Sequence, residues 1–218
     1  MASSLKENGS RVAGTTSKVV SPSMPKRRNR DATVMEAAVA VMSERGYSAT
    51  SIQEVADRVG VLKGSLYHYF SSKEELLFRI LEESHQQNNE IVARTSALGL
   101  SPFEELLEYL RQSTKWYLDN VERANIFFTE SRHLTGDRLI EAQKMGRNFE
   151  RYVQGLVAVS QADGDVRGDV DHRIISRYVL GSINSVRMWP TRKGKPLKDE
   201  ELVNAFVDLT RSAIRSPK

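Results

Sequence analysis

The stretch that decides the reading runs from Thr50 to Phe70: TSIQEVADRVGVLKGSLYHYF. Ser51, followed three residues later by Glu54, is a capping-box pattern that starts a short helix. Ile52, Val55, Ala56 and Val59 fall at helical spacing on its buried face, and Gly60 ends it. After Val61 and Leu62 a second short helix is predicted from Lys63 to about Phe70, with Leu66 and Phe70 on one core-facing side. Two short helices joined by a tight turn at Gly60-Val61-Leu62 have helix-turn-helix spacing. The first braces. The second presents Lys63, Ser65, Tyr67, His68 and Tyr69, and Gly64 lets the backbone come close to a partner. Such a helix fits a major groove about 12 Å wide. There Lys63 reaches a phosphate or a guanine, and hydroxyls and an imidazole meet phosphates or base edges. The competing reading is a structural helical hairpin whose aromatics belong to a core.

The flanks are helical too. Upstream, Val34, Ala37, Ala38, Val41 and Met42 repeat at helical spacing until Gly46. Downstream, Ser72 and Glu75 cap a long helix carrying Leu76, Leu77, Ile80 and Leu81. Ser101-Pro102 is an N-cap followed by proline at the first helical position, and Glu104 completes a second box. That helix stops at Asp119-Asn120. Others are predicted from about Glu122 to Leu134, from Gly136-Asp137 to the turn at 162–165, over about 169–189, and over about 198–215. No strand and no internal repeat appears. The expectation is an all-α chain of about nine helices: a three-helix DNA-binding domain with a helix-turn-helix, plus a larger helical ligand-binding and dimerisation domain.

Composition excludes several classes. The 218 residues are 39% hydrophobic and 28% charged, enough apolar material for a core. No apolar run approaches the ~20 residues of a membrane helix, and no signal peptide is visible near the N-terminus. Cysteine is absent, which excludes disulfides and thiolate metal sites. A cytoplasmic location is expected. The net charge of +4 is uneven: residues 1–30 hold seven basic residues and one acidic, leaving 25 basic and 27 acidic in the rest. Residues 1–27 are read as a disordered basic tail that meets nucleic acid or merely aids solubility. His68, His85, His133 and His172 show no metal-ligand spacing, and neither a P-loop nor a Gly-x-Ser-x-Gly elbow occurs. No metal, no cofactor and no catalytic constellation is expected.

The segment GYSATSIQEVADRVGVLKGSLYHYFSSKEEL, Gly46 to Leu76, resembles the DNA-binding domain of the TetR family of transcriptional regulators, and the likeness covers Asp31 to about Leu77. The resemblance implies a DNA-binding domain over 28–75 and a ligand-binding and dimerisation domain over 76–218. It implies that Lys63 to Tyr69 enter the major groove, with Gly64 and Ser65 among them. It puts Thr50 or Ser51 on a phosphate, Tyr67 and His68 on the backbone, and Lys73 on another phosphate. Residues 31–78 hold four basic and seven acidic residues, so Lys26, Arg27, Arg28 and Arg30 are assigned to phosphates or the neighbouring minor groove.

For the second domain the resemblance implies a homodimer through the last two helices. Their apolar stripes either form that interface or pack on their own domain. The pocket is expected among residues 100–180, where Trp116, Tyr117, Phe127, Phe128, His133, Asn148, Phe149 and Tyr152 interleave. Aromatics at this spacing also read as core. SVRMWPTRKGKPLKDEELVNAFVDL (185–209) and NIFFTESRHL (125–134) resemble the branch that controls fatty-acid or steroid breakdown. That implies an acyl-coenzyme A effector, with Arg187 and the Arg192, Lys193, Lys195 cluster near its phosphates or in a solvated loop. The expected function is a ligand-responsive repressor on a pseudo-palindromic double-stranded operator. The alternatives are a constitutive DNA-binding regulator and an all-α enzyme.

Overall fold

The computed structural model describes residues 27–189 and 198–217, with side chains from Arg30 onward. The expected tail, the side chain of Arg28 and the cluster Arg192, Lys193, Lys195 lie outside the described residues. Among the described residues the chain forms nine α-helices. They are α1 (Arg27–Ala49), α2 (Ile52–Val59), α3 (Lys63–Leu66), α4 (Lys73–Ser96), α5 (Pro102–Asp119), α6 (Val121–Thr129), α7 (Gly136–Ala162), α8 (His172–Val186) and α9 (Asp199–Ile214). A single 3-10 turn, Ser131–His133, joins α6 to α7.

Local signals explain most boundaries. Ser51 accepts from the Glu54 backbone N–H while the Glu54 carboxylate takes the Ser51 N–H, a complete capping box. Ser72 and Ser101 cap α4 and α5 in the same direction. The return half expected at Ser101 is absent, because the Glu104 carboxylate is held by both Arg211 guanidinium nitrogens at 2.7 and 3.0 Å. Gly46 interrupts α1 with φ 76°, a left-handed conformation that favours glycine. Two expected spans are shorter. α3 ends at Leu66, because Tyr69 N–H and Phe70 N–H both return to the Leu66 carbonyl and swing Phe70 into the core. α6 ends at Thr129, and the 3-10 turn takes the remainder of that span.

Two apolar cores result. The first gathers α1, α2, α3 and the start of α4, with Leu66, Phe70, Leu76 and Ile80 fully buried; Ile126 and Leu134 join it from the second half. The second lies among α5, α7, α8 and α9 around Leu106, Leu110, Val179 and Phe206. α4 is about 36 Å long at 1.5 Å per residue and contributes to both cores.

Candidate nucleic-acid interface and ligand cavity

α2 buries Ile52, Val55 and Ala56, and the left-handed Gly60 turns the chain while its N–H caps the Ala56 and Asp57 carbonyls. α3 is anchored by Leu66 alone. The rest of α3 and the residues flanking it face outward: Leu62, Lys63, Gly64, Tyr67 and His68 are exposed, and Ser65 half so. The side chains of Lys63, Tyr67 and His68 form no hydrogen bond or ion pair with the described residues, so their polar atoms are free to bind. Arg30 lies beside this face, where it edges a notch floored by Val34, Val59 and Val61.

Three residues expected on the same surface are otherwise engaged. Thr50 is 3% exposed and donates its hydroxyl to the Gly46 carbonyl at 2.9 Å. The Thr50 backbone N–H reaches the same carbonyl at 3.2 Å, so the threonine closes the break at Gly46 with two donors. Lys73 points into the same break. Its ammonium donates to the carbonyls of Tyr47, Ser48 and Thr50 at 2.9, 3.2 and 3.0 Å and lies 4.4 Å above the Tyr47 ring. It is a clamp between α4 and the end of α1, not a free phosphate ligand. Tyr69 packs half-buried on the first core while its carbonyl accepts from Arg79 at 2.8 Å. Ser51 stays exposed at the start of α2, although its hydroxyl already serves the cap.

A cavity of about 390 Å³ lies among α4, α5, α6, α7 and α8. Five of the expected aromatics line it: Trp116, Tyr117, Phe127, Phe128 and Phe149. Edge-on contacts hold Tyr117 against Trp116 (5.5 Å) and Phe128 (5.8 Å), and Phe127 against Phe128 (5.1 Å). Burial pushes the Tyr117 hydroxyl well above the ordinary tyrosine pKa, against the pull of the Arg187 charge. The cavity's other polar groups come from residues the sequence reading missed. Asn88 donates to the Tyr109 hydroxyl at 3.3 Å, and the Asn184 amide faces the cavity without a partner among the described residues. Arg177 and Glu150, 3.8 Å apart, also line it. No periodicity distinguishes such residues from ordinary helix-surface polars. A second cavity of about 380 Å³ shares Phe127, Phe128 and Gly146 and extends to Leu81 of the first core.

Four expected lining residues are elsewhere. His133 stacks on Tyr47 at 4.9 Å and pairs with Glu130 at 3.3 Å. Asn148 is on the outer side of α7, accepting from Arg151 at 2.9 Å. Tyr152 donates to Glu105 at 2.9 Å, behind the Tyr109 ring. Arg187 donates to Asn125 at 2.7 Å and lies 5.2 Å over Phe128, so it backs the cavity wall.

The two regions are tied together. α6, which carries Phe127 and Phe128, runs into the 3-10 turn whose His133 rests on Tyr47. Next to it, Glu74 takes the Thr135 N–H at 2.7 Å and hydroxyl at 3.0 Å, which holds its carboxyl below the usual carboxylate range. Ile174 and Tyr178 of α8 and Leu209 of α9 are exposed. Among the described residues no cluster of three or more His, Asp or Glu is poised for a metal, and no helix is long and apolar enough to cross a membrane.

Residues 34–80 match the family model described as bacterial regulatory proteins of the tetR family, and residues 99–214 match the tetracyclin repressor-like C-terminal domain. The chain is 26% identical to the HTH-type transcriptional repressor KstR2 of Rhodococcus jostii (strain RHA1), covering 88% of this chain and 94% of that protein. Its fold is similar to that of the ketosteroid transcriptional regulator KstR2 of Mycobacterium tuberculosis, with TM-score 0.79 and 23% identity over 86% of this chain and 96% of that one. It is also similar to AibR, solved in complex with isovaleryl coenzyme A and operator DNA: TM-score 0.75, 24% identity, 83% of this chain and 97% of that one.

Proposed function

The chain belongs to the tetR family of bacterial regulatory proteins, and on that footing we propose that it is a homodimeric, ligand-released transcriptional repressor. Residues 28–75 hold DNA, and residues 76–218 hold the effector and the second copy. Lys63, Gly64, Ser65, Tyr67 and His68 enter the major groove, with Ser51, Arg28 and Arg30 on the flanking backbone. The free polar atoms of α3 support this assignment. α8 and α9 pair across a two-fold axis through Ile174, Tyr178 and Leu209, whose exposure supports it. The two recognition helices then meet successive major grooves about 34–36 Å apart on a pseudo-palindromic operator.

The effector is an acyl-coenzyme A thioester, its apolar acyl part in the aromatic cavity. The AibR complex with isovaleryl coenzyme A supports this class. One observation carries the coupling: Phe127 and Phe128 wall the cavity and sit on the helix that leads straight to the His133–Tyr47 stack. A ligand that displaces them moves the turn against which the Lys73 clamp holds the DNA-binding domain. A hundredfold release needs about 2.7 kcal/mol of difference between the two states. The chain performs no turnover of this ligand.

The test is fluorescence anisotropy of the full chain on duplexes from upstream of its own gene, with and without isovaleryl-coenzyme A and longer acyl thioesters. Tight binding released by a thioester is expected. Tight binding indifferent to every thioester would overturn the effector, and binding no tighter than to random duplex would overturn repression at that site.

A further inference from the structure

Leu62 is the most exposed large hydrophobic side chain among the described residues, at 81%. It is also the N-cap of α3, with extended backbone (φ −70°, ψ 140°) and no side-chain cap. Serine, threonine, aspartate and asparagine are the residues that stabilise this position, and leucine forgoes that bond. The neighbouring helices show the contrast: α2 and α4, which brace, begin at Ser51 and Ser72, and both hydroxyls cap. Only the helix that faces outward begins with an uncapped leucine. The core does not require it, since Val61 already packs on the first core beside it. An apolar side chain held in water at the expense of a cap is explained by an apolar partner that arrives from outside.

We propose that Leu62 reads the C5 methyl of a thymine in the major groove. The inference rests on the DNA-binding reading above and deepens it to one base. Leu62 immediately precedes Lys63 at the leading end of α3, and it borders the notch floored by Val34, Val59 and Val61 and edged by Arg30. Thymine is the base that presents a methyl group in the major groove. The leucine then covers that methyl while Arg30, at the edge of the same notch, meets a backbone phosphate. Specificity at this base pair comes from apolar contact, and Lys63 supplies the polar contact next to it.

The experiment uses the full chain and the tightest duplex it selects from a random pool. Each thymidine in turn is replaced by deoxyuridine, which removes the methyl and nothing else. Burial of one methyl corresponds to a loss of roughly three- to fivefold in affinity at one position in each half-site. Leu62→Ala, equally unable to cap, should bind that deoxyuridine duplex and its thymidine parent equally. Leu62→Ser restores a capping hydroxyl, so it should melt no lower than the wild type and still lose the discrimination. This separates reading from folding. If wild type and Leu62→Ala respond alike to every deoxyuridine, the inference fails while the DNA-binding reading stands. If no duplex is enriched, both fall.

Discussion

The outer face of α3 and the cavity among α4 to α8 are both binding regions, but they are built in opposite ways. The face is made by nine consecutive residues, 62–70, held by two buried anchors, Leu66 and Phe70. Its polar side chains, Lys63, Tyr67 and His68, are free because they stand exposed with no neighbour among the described residues bonded to them. The cavity draws on residues from Ser84 to Asn184, brought together by five helices. Most of its polar groups are paired, and the Asn184 amide is free only because packing leaves a space that no side chain fills. A contiguous motif is therefore sensitive to its anchors, and an assembled cavity to the volume it encloses.

The sharpest way to break that contrast is Leu66→Ala. It removes a fully buried anchor, a change that costs about 2–5 kcal/mol in a packed core. Operator binding should vanish, while thioester quenching of Trp116 fluorescence in the cavity persists. If both are lost together, the two regions do not stand apart. Gly146→Leu works from the other side. A Cβ there meets nothing within 4 Å and projects from a helix that lines both cavities. The variant should hold the operator normally and lose the thioester response, a change of about 2–3 kcal/mol in coupling, with a melting temperature unchanged or higher.

Lys73→Met comes next. Removing an ammonium that satisfies three carbonyls should destabilise the DNA-binding domain by about 2 kcal/mol. The slope of operator affinity against salt should stay as it was. A shallower slope at an unchanged melting temperature would make Lys73 a phosphate ligand after all. Lys63→Ala should do what Lys73→Met does not: weaken operator binding by roughly tenfold and reduce the salt slope by about one, at constant stability. The smallest effect concerns His85, buried against Phe149, whose burial holds its pKa below the ordinary value. A histidine with a depressed folded pKa binds fewer protons than its unfolded form, so stability falls as pH drops below about 6.5 toward the folded pKa. Thermal melts of His85→Leu should show a flatter acid limb by less than about 1 kcal/mol.

Much of this was legible from residues close in sequence. The Ser51–Glu54 box, the serine caps of α4 and α5, and the apolar stripes that became the two cores each depend on neighbours within one or two turns. Five cavity aromatics are legible on the same basis, yet His133, Asn148 and Tyr152 have the same spacing and face elsewhere, as does Arg187, which only the resemblance placed near the effector. Spacing assigns a side chain to a helix face, but which neighbour covers that face depends on how the helices cross. Asn184 and Asn88 escaped notice because a polar residue on a helix draws attention only once apolar walls surround it.

By itself, the sequence determined where most helices begin, that α2 and α3 form a helix-turn-helix, and that Lys63, Tyr67 and His68 fall away from its core-facing side. These follow from backbone hydrogen bonding and side-chain periodicity, which act over a few residues. Only the tertiary structure decided that Thr50 and Lys73 are consumed by the break at Gly46. Only it decided that Glu104 belongs to Arg211, 107 residues away, and that an unfilled volume remains behind Phe127 and Phe128. A hydrogen-bond partner or a cavity wall is fixed by the approach of distant segments, and that approach is set by close packing of the whole core rather than by any local pattern.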